Sequence, residues 1–174
     1  MTLDLNTPPA ETERPALRLS MKPRGASAGA VDGAWWPHSA DPMTEFPPLL
    51  AVLDADGRVR RVSYHLDSWD RADRKLAAGE VVVRMEGFHT IQPDTVTLVN
   101  SDYTRIRLLV VPPGTPGGVA RAVLRSVTTA SATATVADIL SANGATPGTA
   151  RETVEEDRWE GDGGQQPVVG RRAV

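Results

Sequence analysis

Gly29-Ala30-Val31-Asp32-Gly33-Ala34-Trp35-Trp36-Pro37 is the stretch on which the reading of this fold turns. Two adjacent tryptophans are costly to leave in water, and glycines beside them let the backbone turn tightly or approach another segment. Asp32 is the one ionisable side chain among them. Gly29, Gly33 and Pro37 argue against a helix, so the stretch reads as a short extended segment or turn. Consecutive side chains on an extended segment point to opposite sides. One tryptophan therefore enters the core while its neighbour covers a different surface.

Just upstream, Leu17, Leu19 and Met21 alternate with Arg18, Ser20 and Lys22, the period-two pattern of a half-buried strand. Downstream, Thr44 is expected to cap a helix running to Asp54, with Phe46, Leu49, Leu50 and Leu53 as its apolar face and Pro47 in the tolerant first turn. Asp56-Gly57 turns the chain out of it. Val59 to Leu66 is a strand with Val62, Tyr64 and Leu66 on one face and Arg61, Ser63 and His65 on the other. Asp67-Ser68-Trp69-Asp70 leaves it as a loop, and Arg71 to Gly79 reads as a long turn.

Glu80 to Phe88 is the next strand. Thr95 to Val99 and Thr104 to Val111 form a hairpin, stopped by Pro112-Pro113-Gly114. Pro116 to Val127 is an amphipathic helix with Val119, Ala122, Val123 and Val127 on one side. A short helix, Val136 to Ala142, ends at Asn143-Gly144. The expected fold is α+β: a mostly antiparallel sheet of five to six strands with two main helices on one face. A single domain over 16–144 is expected between a disordered arm, 1–15, and a disordered tail, 145–174.

The chain of 174 residues is 40% apolar and 24% charged, the balance of a globular protein that stays in water. No apolar run approaches the roughly 20 residues that span a bilayer. The first residues lack the basic start and apolar core of a secretory signal. Without cysteine there is no disulfide framework and no thiolate metal site. A cytoplasmic setting away from membranes is the expectation. The net charge of -3 attracts neither nucleic acid nor anionic lipid globally, so a basic patch has to be local.

Three groups of residues invite a chemical reading. Asp32, Trp35, Trp36, Asp67, Trp69 and Asp70 lie at strand ends, where loops converge on pockets. Aromatic walls with carboxylates suit a small ligand bearing a cation or hydroxyls. The plainer assignment has a tryptophan filling the core and the aspartates capping turns. His38, His65 and His89 fall on different elements without ligand spacing, so no metal and no cofactor is expected.

The third group comes from the sheet. If Leu17, Leu19, Met21, Val62, Tyr64, Val83, Met85, Ile106 and Leu108 face the helices, the other face carries Arg18, Lys22, Arg61, His65, Arg84, Arg105 and Arg107, with Glu86 the acid among them. Such a face suits an anion or nucleic acid, although it lacks the interleaved aromatics on which sheet-type RNA readers stack bases. It equally suits a solvated face, or one paired with acids of a second subunit or of the tail, which offers Glu152, Glu155, Glu156 and Asp157.

Leu19-Ser20-Met21-Lys22-Pro23, Val31 to Pro37, Tyr64-His65-Leu66-Asp67-Ser68-Trp69-Asp70, Glu86-Gly87-Phe88-His89 and Leu109-Val110-Val111-Pro112-Pro113 resemble an uncharacterised actinobacterial family, the domain of unknown function DUF5994. The resemblance covers roughly Leu17 to Ala122. It implies one small domain and supplies no activity, substrate or cofactor. An Asn is common in that family where His65 stands, which speaks against a chemical role for His65.

The expected function is non-enzymatic binding of a small molecule or a protein partner through the Asp32–Trp36 and Asp67–Asp70 loops. One alternative is nucleic-acid or anion binding through Arg18, Lys22, Arg61, Arg84, Arg105 and Arg107. Another is a small enzyme with Asp32, His65 and Asp67 in a tryptophan-lined pocket. A sheet with one uncovered face also accommodates a homodimer.

Overall fold

The structure is a computed structural model that describes residues 15–26, 29–54 and 58–148. The expected arm up to residue 14, the Asp56-Gly57 turn and the tail from residue 149 lie outside the described residues. The elements in order are β1 (Leu19–Met21), β2 (Gly33–Trp35), α1 (Pro42–Leu53), β3 (Val59–His65), a 3-10 turn (Leu66–Ser68), β4 (Lys75–Ala78), β5 (Val81–Phe88), β6 (Thr95–Asn100), β7 (Arg105–Val110), α2 (Gly117–Ser126) and α3 (Val136–Ala142). Among the described residues no helix is long and apolar enough to cross a membrane.

Among the described residues the fold is α+β, but its sheet has seven strands in the order β1-β2-β7-β6-β3-β5-β4 and is mixed, with two parallel pairings beside four antiparallel ones. β2 pairs parallel with β7, and β3 pairs parallel with β5. The missed strand explains the second of these. Lys75-Leu76-Ala77-Ala78 has little of the β-branched character that marks strands. It nevertheless pairs antiparallel with β5 across Gly79-Glu80, where Gly79 takes a φ of 60°. One extra strand between β3 and β5 in sequence reverses the direction of β5 relative to β3.

Helices cover both faces, not one. Trp35, Val62, Tyr64, Val83, Met85, Leu108 and Val110 pack against Phe46, Leu49 and Leu50 of α1. Leu17, Leu19, Met21 and Ile106 pack against the same core, so the expected apolar face is the α1 face. On the other side, Val31, Ala34, Trp36, Leu109 and Val111 pack against Ala120, Val123 and Val127 of the α2 segment and Ile139 and Leu140 of α3. Those apolar side chains share a face with the arginines, which is why one face looked uncovered from strand patterns alone. Ala120, not Ala122, is the buried alanine of α2.

The two tryptophans divide between these cores because β2 is extended. Trp35 joins the α1 core and Trp36 the α2/α3 core, and both are buried. Gly33 is required at this crossing: a Cβ there would meet Met21 Sδ and the Ser20 carbonyl oxygen at 2.6 Å each.

α1 starts two residues before the expected cap. Asp41 accepts the Met43 N–H at 3.0 Å and Pro42 occupies the first helical position. Pro47 and Pro48 consequently lie inside the helix, where their missing N–H groups leave the carbonyls of Met43 and Thr44 without an intrahelical donor. At the other end of the chain, packing continues past the boundary expected at 144. Ala145 is buried in the second core and Gly148 donates its N–H to Asp94.

Candidate functional site

Strands β2, β7, β3 and β5 run in one direction, so the segments that leave them gather at one end of the sheet. That end is where α/β sheets place ligands. Pro37, Ser39 and Ala40 from β2, Asp67, Ser68 and Trp69 from β3, and Val110, Pro112 and Pro113 from β7 meet there with Asp94 and Gly148. They enclose a cleft of about 260 Å³.

Local hydrogen bonds hold each wall. The buried Glu45 accepts the His38 N–H at 3.1 Å and the Ser39 hydroxyl at 2.9 Å, fixing the segment between β2 and α1. Asp70 ties the β3 exit to that segment, its N–H donating to the Ala40 carbonyl at 2.8 Å. His65 shapes the 3-10 turn. Its Nδ1 accepts the Asp67 N–H at 3.3 Å and its Nε2 donates to the His89 carbonyl at 3.1 Å. Trp69 then folds back against Trp35 and Phe46. Asp67 itself reaches His89 Nδ1 at 3.4 Å.

Asp94 is the unusual group of the cleft. It is a buried carboxyl at a φ of 57°, and it accepts the Gly148 N–H. Burial pushes its pKa above the ordinary 3.8, and the Gly148 hydrogen bond opposes that only in part. With Asp67, Ser39 and Ser68, it makes the cleft rich in acceptors, set beside the Trp69 ring and three prolines. A donor-bearing small molecule matches that lining.

Of the loop residues singled out from sequence, Asp67 and Trp69 line this cleft. Trp35 and Trp36 are core residues and offer it no wall. Asp70 is exposed beside the cleft without lining it. Asp32 stands before β2, where its carboxylate accepts the Arg107 N–H at 2.8 Å, three strands away from Asp67. Asp32, His65 and Asp67 therefore do not share a pocket. His65 is not on an exposed basic face either: it is 1% exposed with both nitrogens engaged.

The family model of DUF5994, a family of unknown function, matches residues 18–127. The chain belongs to DUF5994. No curated protein and no solved structure matches the chain. The DUF5994 match takes in every strand, α1, α2 and every residue of the cleft except Gly148, while α3 falls outside it.

Four basic residues singled out within the DUF5994 span separate into two sets. The Arg18 guanidinium lies 3.4 Å from the centroid of the Trp36 ring and donates to the Trp36 and Pro37 carbonyls at 2.9 and 2.6 Å, a structural clamp. Lys22 lies beside Gly29 on the same edge. Arg61 and Arg84 lie across the sheet from them, 3.4 and 3.7 Å from Glu86. His38 is exposed and bonds the Ala16 carbonyl, remote from the His65–His89 pair, whose rings are 6.3 Å apart. Among the described residues no cluster of three metal-ligating side chains occurs.

Sequence reasoning passed over Asp94, Ser39 and Gly148. Asp94 was legible only as a turn residue after Pro93. Nothing local marks its burial, nor the N–H it accepts from Gly148.

Proposed function

We propose that this DUF5994 domain binds a small donor-bearing molecule, an amine or a polyol, in the cleft between Ser39, Asp67, Trp69 and Asp94. The observation that carries the reading is the buried Asp94 carboxyl facing the same cleft as Asp67, at the end of the sheet where four strands exit together. Binding rather than catalysis is the role, because the neighbouring imidazole of His65 is spent on the Asp67 N–H and the His89 carbonyl and has no free base position. The cysteine-free sequence suits a cytoplasmic protein.

A thermal-shift series with small diamines and polyols tests this. An amine or polyol that raises the melting temperature of the parent, and does so less for Asp67→Asn, supports the cleft. If no compound of either class shifts the parent, or if Asp67→Asn responds as the parent does, the reading fails.

A further inference from the structure

On the part of the α2/α3 face of the sheet that those helices leave uncovered, the strand registers bring cations into one row. Arg105 pairs with Val99, Val99 with Arg61, Arg61 with Arg84 and Arg84 with Lys75. Four of the five positions are basic, spread over five adjacent strands. At about 4.8 Å per strand the row is about 19 Å wide. Glu86, on the neighbouring row, is the acid that reaches Arg61 and Arg84. Arg18 and Lys22, counted with this face from strand patterns, belong to the far edge and take no part.

Two open grooves, of about 430 and 620 Å³, meet at Arg84. Each has an exposed aromatic residue at its rim: Tyr103, 84% exposed, in the first and Phe88, 41% exposed, in the second. Tyr103 sits in the β6–β7 turn at a φ of 66°, where glycine is the unstrained residue. A tyrosine held there displays its ring beside Arg60 and Arg61 at a conformational cost.

We infer that this row is a binding surface for single-stranded nucleic acid, distinct from the cleft. Cations spaced across strands meet backbone phosphates, and the two rings give bases a place to stack. The row spans on the order of four nucleotides, the lower end of single-strand site sizes. The acidic segment Glu152 to Asp157 is the competing occupant by charge, but carboxylates, unlike bases, give displayed aromatic rings nothing to stack on.

The test is fluorescence anisotropy of a labelled oligothymidylate of about twelve nucleotides with the full chain. Four phosphate contacts predict a log–log salt slope of about -3, a loss of roughly fifty-fold in affinity between about 50 and 200 mM salt. Arg84→Ala with Arg105→Ala should halve that slope. Tyr103→Gly should weaken binding about tenfold while raising the melting temperature, a pairing that a damaged fold does not produce. Absence of binding at low salt overturns the inference, as does an unchanged slope in the double variant or equal affinity for duplex. Binding that appears only after Glu152, Glu155, Glu156 and Asp157 are neutralised assigns the row to that segment and also overturns it.

Discussion

The rings of Trp35 and Trp69 stack with their centroids 5.4 Å apart and their planes 23° apart. Phe46 leans on both, at 5.6 and 4.8 Å. This aromatic cluster joins β2, α1 and the turn after β3, and its Trp69 lines the proposed cleft. Trp35→Ala and Trp69→Ala should each cost about 3–5 kcal/mol in urea unfolding. The two losses should fall short of additive when combined, because each removes the other's partner. Additive losses would show that the stacking carries no coupling.

Gly33→Ala tests the close approach of β1 and β2. The new methyl would press on the Ser20 carbonyl, which is backbone and has little room to retreat. A loss of about 1–3 kcal/mol is expected from chemical denaturation. The same change at Gly114, where a Cβ meets nothing within 4 Å, should leave stability nearly unaltered.

Arg18→Lys should cost about 1–2 kcal/mol although charge is kept. A lysine cannot lie flat on the Trp36 ring while donating to the Trp36 and Pro37 carbonyls together. Denaturation midpoints of Arg18→Lys and Arg18→Ala decide this: a midpoint for the lysine variant equal to the parent would reduce Arg18 to a simple charge.

The pH dependence of stability should carry two opposite signs. Burial raises the Asp94 pKa above 3.8, whereas the Thr135 hydroxyl and N–H hold that of the exposed Asp138 below it. A raised acid contributes its full stability below its unfolded pKa and loses it as pH climbs through the folded value. A depressed acid contributes above its unfolded pKa and loses that as pH falls through the folded value. Between about pH 3 and 7, Asp94→Asn should therefore gain on the parent as pH rises, while Asp138→Asn should fall behind it. Melting temperatures followed by circular dichroism check both, and parallel curves would refute the assignment.

Much of the fold was legible because its signals are local. Alternation placed β3, β5 and the β6–β7 hairpin, and Asn143-Gly144 ended α3 where the structure ends it. The split of Trp35 from Trp36 followed from extended geometry alone. The site was less legible. Asp67 and Trp69 were found from loop composition, but Asp32 was grouped with them although it stands before β2 and they follow β3. β4 escaped because alanines and a lysine carry no strand pattern, and the parallel pairing of β3 with β5 was lost with it.

Residue order was enough to establish most of the strands and helices, where most turns fall, and that the fold is α+β. Those properties depend on groups a few residues apart, whose spacing is written in the chain. Pairing decided the rest. Strand order put Arg61, Arg84, Arg105 and Lys75 in one row, buried His65, and sent three strand exits to one cleft. Each of these brings together residues tens of positions apart, through hydrogen-bonded registers and apolar packing on both faces of the sheet. Asp94 shows the division within one side chain: its turn is local, but the burial that raises its pKa and the N–H it accepts from Gly148, 54 residues later, are tertiary.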